Sequence, residues 1–219
     1  MAAIVILALL LTGGYVAYRA DDVYQSLQNG RAALVAAQDG IAAGEKSGDR
    51  VQLQAAMSEL RQAEQHFLDA RQTAGDDPAF SVLGQLPGSG NQLAATVHLA
   101  SIGADLSRAG EAADTIALQV AVLKRQYAGR SLTPDDLQAL LQQAQTIAAR
   151  YRGSIVAIGR QLQAARTERA QVTTTNLLPP LRQAYDQVDA ALATADTAFI
   201  RYRDVNRVLQ DMLGISLSG

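Results

Sequence analysis

With 219 residues, a formal charge of −2 and no cysteine, the chain is long enough to bury a substantial core but has no means of forming a disulfide, a thiolate metal site or a cysteine nucleophile. Acids and bases are interspersed in both halves, and of the 19 basic residues all but Lys46 and Lys124 are arginines scattered among acids, so no polyanion-binding surface and no nucleic-acid partner is expected. Hydrophobic residues reach 48% while aromatics are 5% and tryptophan is absent, and the apolar content comes from Ala, Leu and Val beside many Gln, a mixture that suits closely packed helices rather than sheets.

The stretch MAAIVILALLLTGGYVAY, residues 1–18, carries no charged side chain. As a helix it spans roughly 27 Å against the ~30 Å hydrocarbon core of a bilayer. It reads as a retained single-pass membrane anchor, with Tyr15, Tyr18 and Arg19 where interfacial residues belong. The rival, a cleaved signal peptide, lacks a basic n-region, and for a cut after Ala17 or Ala20 the position three before the cut is Tyr15 or Tyr18 rather than a small residue. The missing basic flank also suggests that the natural chain begins earlier. Asp21 and Asp22 follow the span without a basic cluster, which places residues 19–219 outside the cytoplasm, at the cell envelope.

Beyond the anchor the chain reads as all-α: an antiparallel, coiled-coil-like bundle of four to five long helices. The first runs on from the span to about residue 47, and others follow near 49–75, 91–129, 134–174 and 178–213. Leu53, Ala56, Leu60, Ala63, Phe67 and Ala70 alternate spacings of three and four, which draws a narrow apolar seam on one helix face. Leu137, Leu141, Ala144, Ala148, Tyr151, Ile155, Ile158, Leu162 and Ala165 repeat the rhythm, as do Leu181, Tyr185, Val188, Leu192, Ala195, Phe199, Tyr202, Asn206, Leu209 and Leu213.

Punctuation agrees with this phasing. All five prolines fall between helical segments. Asp77 before Pro78 and Thr133 before Pro134 are N-cap pairs, Asp135 and Asp136 face a positive helix end, and Leu132 with Leu137 would form a hydrophobic staple. Gly48, Gly75 and Gly129 stand where C-terminal caps are expected. Thr173, Thr174, Thr175 and Asn176 before Pro179 and Pro180 read as a turn, with a strongly kinked helix as the alternative.

Residues 76–90 form a structural corner built on Leu86, Pro87, Gly88 and Gly90, whose apolar Phe80, Val82, Leu83 and Leu86 plug the membrane-proximal end of the bundle. A phosphate-binding loop is the rival reading of those glycines, but no strand precedes them and no lysine follows. With successive helices antiparallel, the corner lies near the bilayer and the C-terminus far from it.

Leu86, Pro87 and Gly88, followed by a helix carrying the small residues Ala100, Gly103, Ala104, Ala109 and Gly110, resemble the N-terminal helical region of a bacterial membrane-protein family known as domain of unknown function 4012. The likeness is specific over residues 83–113 and extends to most of the chain in layout. It implies a membrane span near the start, Ala-rich helices and a globular domain beyond Leu213, Gly214 and Ile215. It supplies no catalytic residues.

Few side chains invite chemistry. His66 and His98 are the two histidines, and Ala63 and Ala95 stand where the glutamates of a bundle di-metal motif would be, so no metal and no cofactor is expected. No nucleophile elbow or compact carboxylate pair marks an enzyme. Arg150, Arg152, Arg160, Arg166 and Arg169 could contact an anionic lipid or glycan surface, or form a solvated face partly paired with acids such as Glu168. Tyr127, Tyr151, Tyr185 and Tyr202 fall on or beside the seams and suit core packing, and Gly103 and Gly110 suit a close helix crossing. The expected function is a non-catalytic, membrane-anchored stalk or scaffold that holds a protein partner or distal domain, with self-association open through its helical faces. A ligand-sensing receptor bundle and the anchor half of a cell-envelope enzyme are the alternatives.

Overall fold

A computed structural model describes residues 2–85, 88–127 and 133–202, with side chains from Arg19 onward except at positions 45, 79, 82, 83, 124, 201 and 202. Among the described residues every regular element is a helix: α1 (Ala2–Ser47), α2 (Arg50–Asp76), α3 (Pro78–Leu83), α4 (Ser89–Tyr127), α5 (Pro134–Arg150), α6 (Arg152–Gln171) and α7 (Pro179–Tyr202). The all-α bundle expected from the three-four rhythm is therefore present.

Local chemistry sets the boundaries. Gly48, at φ 68°, ends α1 in the left-handed region that a residue without Cβ enters freely. Asp49 then caps α2, its carboxylate accepting from the Val51 N–H at 2.9 Å. Thr133 and Asp136 form a full capping box at α5, the Asp136 N–H donating to Thr133 Oγ1 at 3.2 Å and the Thr133 N–H to Asp136 Oδ2 at 3.0 Å. Leu132 and Gly129 lie outside the described residues, as do Leu86, Pro87, Asn206, Leu209 and Leu213.

The long helices run antiparallel. Gly44 faces Leu53 and Gly30 faces Phe67 across α1 and α2; Phe67 meets Gly103 and Leu60 meets Gly110 across α2 and α4. His98 reaches Glu168 across α4 and α6, and Gly159 faces Phe199 across α6 and α7. α4 is the axis, packing against all six other helices, while α1 and α2 pair on one flank and α6 and α7 on another. Its small residues make that possible, because Ala100, Ala104, Ser107 and Ala109 are buried without holding neighbouring backbones apart. Ser107 and Ser101 satisfy their hydroxyls on the carbonyls of Gly103 and Val97, each at 2.9 Å, and so sit in the interior without an unmet donor.

The α2 seam is buried at every expected position, Leu53, Ala56, Leu60, Ala63, Phe67 and Ala70, and extends to Ala74. Each large side chain on it contributes on the order of 1.5–3 kcal/mol from burial. Leu99, Ile102, Leu106 and Ala109 of α4 meet Ile158, Leu162 and Ala165 of α6 and Leu192 of α7 in the largest apolar cluster. Leu181, Tyr185, Val188, Ala195 and Phe199 pack around it, as the seam of the last helix requires.

Three expectations need correction. The helix expected over 134–174 is two, because Tyr151 at φ −98° and ψ 12° breaks it. α5 consequently presents Leu140, Ala144 and Ile147 to Leu123 and Tyr127 of α4, and leaves Leu137 and Leu141, expected in the seam, exposed. Gly75 lies inside the last turn of α2 and is no left-handed cap; the terminal residue is Asp77, whose N–H donates to the Thr73 carbonyl at 3.3 Å. The corner at 76–90 contains a helix of its own, α3, which places Phe80 among Val23, Ala70, Ala74 and Ala100. The transmembrane helix expected over residues 1–18 is not among the features supported: among the described residues no helix is long and apolar enough to cross a membrane. The backbone from Ala2 is the continuous start of α1, and the side chains of 1–18 are outside the described set.

Candidate functional site: a charged cleft on α2 and α4

Antiparallel packing of α2 on α4 lines up the flanks of both helices beside their apolar seam. On α2, Arg61 and Glu64 are three residues apart; on α4, Asp105, Arg108 and Glu111 follow the same step, so each set lies along one edge of its helix. The two edges meet. Glu64 Oε1 accepts from Arg108 Nε at 2.6 Å, Asp105 Oδ1 from Arg108 Nη1 at 3.5 Å, and Glu111 Oε2 from Arg61 Nε at 3.3 Å. Met57, Ala112 and Thr115 complete the lining of an open cleft of about 400 Å³.

Acids outnumber bases along this chain of contacts. Burial is the main cause that pushes the Asp105 carboxyl above its ordinary range; Arg108 opposes the shift, and Glu168 and Glu64 add to it. Glu111 is raised in the same way, first by burial, with Arg61 opposing and the adjacent Glu64 carboxyl adding. The pairs remain partly solvated, so each contributes about 0–1 kcal/mol. The arrangement leaves the guanidinium groups of Arg61 and Arg108 and the carboxylates of Glu64 and Glu111 facing one open cleft, with Asp105 buried beside Arg108.

A second polar contact crosses from α4 to α6, where His98 Nδ1 lies 2.6 Å from Glu168 Oε2. Among the described residues no group of three or more His, Asp or Glu side chains could hold a metal ion. His66 stands on α2, apart from His98 on α4.

The five arginines singled out in the sequence divide. Arg166 holds Asp196 with both Nε and Nη2, the former at 3.0 Å, and Arg169 Nε meets Asp189 at 2.5 Å while its guanidinium lies 5.5 Å from the Tyr185 ring centre. These two join α6 to α7, and their partners are α7 aspartates rather than Glu168. Arg150, Arg152 and Arg160 are exposed. Tyr185 packs against the main cluster and Tyr127 against Leu123 and Leu140, as core tyrosines.

At the corner, Gly88 has φ 86°, and a Cβ on Gly90 would stand 2.7 Å from the Gly84 carbonyl oxygen, so both glycines are required by backbone shape. The residues that follow tie two turns together. Asn91 Nδ2 donates to the Thr175 carbonyl at 2.9 Å, Gln92 Nε2 to the Asn176 carbonyl at 2.6 Å, and the Leu178 N–H donates to Gln92 Oε1 at 3.0 Å. Neither this latch nor the α2–α4 network was singled out from the sequence; its trace is the charge step of three on helices whose register is not yet known.

Comparison with protein-family models, with curated proteins and with solved structures finds no match.

Proposed function

We propose that this protein is a membrane-anchored, non-catalytic helical stalk, held by residues 1–18 with the remainder outside the cytoplasm, that carries a partner or a distal domain away from the bilayer. The observation that carries the reading is the continuity of α1. One helix of 46 residues, roughly 69 Å long, runs without a break from the uncharged N-terminal stretch into the core, where Val23, Ala33 and Ala37 are buried. An apolar segment joined to a bundle by unbroken helix transmits position and orientation, which a flexible tether does not. The packing of every other helix on α4 joins the rest of the chain into one body suited to spacing.

The likeness to domain of unknown function 4012 fits this reading, and the distal domain it implies would follow α7 at the end remote from the anchor. Two measurements test the proposal. The native chain should stay with the membrane pellet through carbonate extraction, and protease added to intact spheroplasts should digest residues 130–219. Release by carbonate would overturn the anchor; protection of that region would overturn the orientation.

A further inference from the structure

We infer that the end of the bundle formed by the start of α4 and the α6–α7 turn is a lipid-contacting surface, with Leu178 as its inserted side chain and the headgroup layer of a bilayer as its partner. The inference rests on the anchored reading above and adds a second contact to it.

The two ends of the molecule differ in charge. Residues 78–97 and 170–181 contain no Asp, Glu, Lys or Arg, and neither do residues 1–18. At the opposite end, residues 45–50 include Glu45, Lys46, Asp49 and Arg50, and residues 124–127 and 133–136 include Lys124, Arg125, Asp135 and Asp136. The fold gathers the uncharged segments at one end. Arg19, the first residue after the apolar stretch, donates to Asp77 at 2.9 Å, which fixes the corner beside the point where that stretch joins the bundle. Asn91 and Gln92 then hold the α6–α7 turn against the start of α4. Of the charges bordering this end, Arg19 is paired with both Asp22 and Asp77, while Asp76 and Arg182 are exposed.

The turn itself is built for a poorly hydrated surface. The carbonyls of Thr173, Thr175 and Asn176 and the N–H of Leu178 are bonded within the protein, so withdrawing them from water leaves no unmet group. Leu178 is 57% exposed, and Pro179 and Pro180 beside it are exposed as well. Held by this latch, the leucine is not free to fold back onto the bundle. One leucine is too little to recruit a protein to a membrane, since even a single acyl chain binds only marginally. Its role is orientation: together with the helix from residues 1–18 it gives the stalk two points of contact and so a fixed tilt.

The absence of cysteine makes the test direct. Leu178→Cys and, at the opposite end, Val51→Cys, where the side chain is 71% exposed, are made singly in the full chain and labelled with an environment-sensitive fluorophore. Each protein is reconstituted with vesicles of phosphatidylcholine and phosphatidylglycerol, with and without a nitroxide on the upper acyl chain, and floated on a density gradient. The expected result is co-flotation of both, with quenching several-fold stronger at position 178 than at 51. Co-flotation with equal quenching at the two positions would overturn the lipid contact and leave the anchor standing. Failure to float would overturn both.

Discussion

Phe67 occupies a slot that two glycines create. Its ring lies against Gly30 of α1 and Gly103 of α4, and a Cβ built on Gly103 would stand 2.6 Å from the ring. Gly110 offers a comparable notch to Leu60, at 2.8 Å, and Gly44 to Leu53, at 2.7 Å. The large residues of the α2 seam thus enter glycine notches on both neighbouring helices, which brings three backbones close together. Gly103→Ala should cost about 1–3 kcal/mol, the usual penalty for overpacking, although alanine is the better helix former. Phe67→Ala should cost about 3–5 kcal/mol through the cavity it leaves. Because the two side chains would compete for one volume, Gly103→Ala with Phe67→Ala should be less destabilised than the sum of the singles. Thermal or urea unfolding of the four proteins in a double-mutant cycle measures that coupling. Additive effects would show that the ring and the glycine do not share a slot.

The connections between helices are held in two distinct ways, and they differ in how plainly the sequence announces them. The Thr133–Asp136 capping box and the Gly48 terminus are local, built within four residues, and they read directly from residue type. The α2 seam reads just as well, since seven buried positions keep a regular step without interruption. The break at Tyr151 does not. The Ile155 N–H still donates to the Tyr151 carbonyl at 2.9 Å, so the ladder nearly continues, and no proline stands nearby to mark the change of direction. Leu137 and Leu141 fit the rhythm of residues beyond the break but belong to a helix rotated relative to them, which is why they are exposed. The α2–α4 cleft and the α6–α7 latch stayed hidden because they join residues 44 to 86 positions apart, and pairing them needs the register that folding supplies. The latch has a testable weight. Gln92→Ala removes one acceptor and one donor from the turn, an expected loss of about 1–3 kcal/mol. Asn176, at φ 59°, should tolerate glycine, whereas Asn176→Val should cost about 1–2 kcal/mol. Hydrogen exchange should show faster opening of residues 172–178 in Gln92→Ala and Asn176→Val while α2 stays protected. Unchanged exchange in the turn would mean that the prolines alone fix it.

Around α4 the molecule combines two three-helix units, α1–α2–α4 and α4–α6–α7, that share one helix. The apolar faces of α4 serve both units, and its remaining edge carries Asp105, Arg108 and Glu111 beside Arg61 and Glu64 of α2, with His98 and Glu168 further along. Since α4 joins both units, strain on that edge bears on the stability of the whole. Asp105 and Glu111 have folded-state pKa values raised above 3.8 and 4.5, chiefly by burial. A carboxyl with a raised value holds its proton more tightly when folded, so its contribution is fully present below the ordinary value and is lost as pH rises through the raised one. Acidification from neutrality should therefore relieve these two sites, the reverse of carboxylates held low by arginine. The prediction is that the melting temperature of the native chain is maintained or rises between about pH 7 and about pH 5, within the window above the ordinary carboxylate values. Asp105→Asn with Glu111→Gln should remove that part of the profile, because an amide keeps the shape and hydrogen-bonding capacity of the carboxyl but binds no proton in this range. The double variant should then lose stability over the same acidification relative to the native chain, whatever the offset between the two at neutral pH. Parallel melting profiles would show that Asp105 and Glu111 do not govern the acid response, and that the crowding of carboxylates along α4 carries no thermodynamic weight.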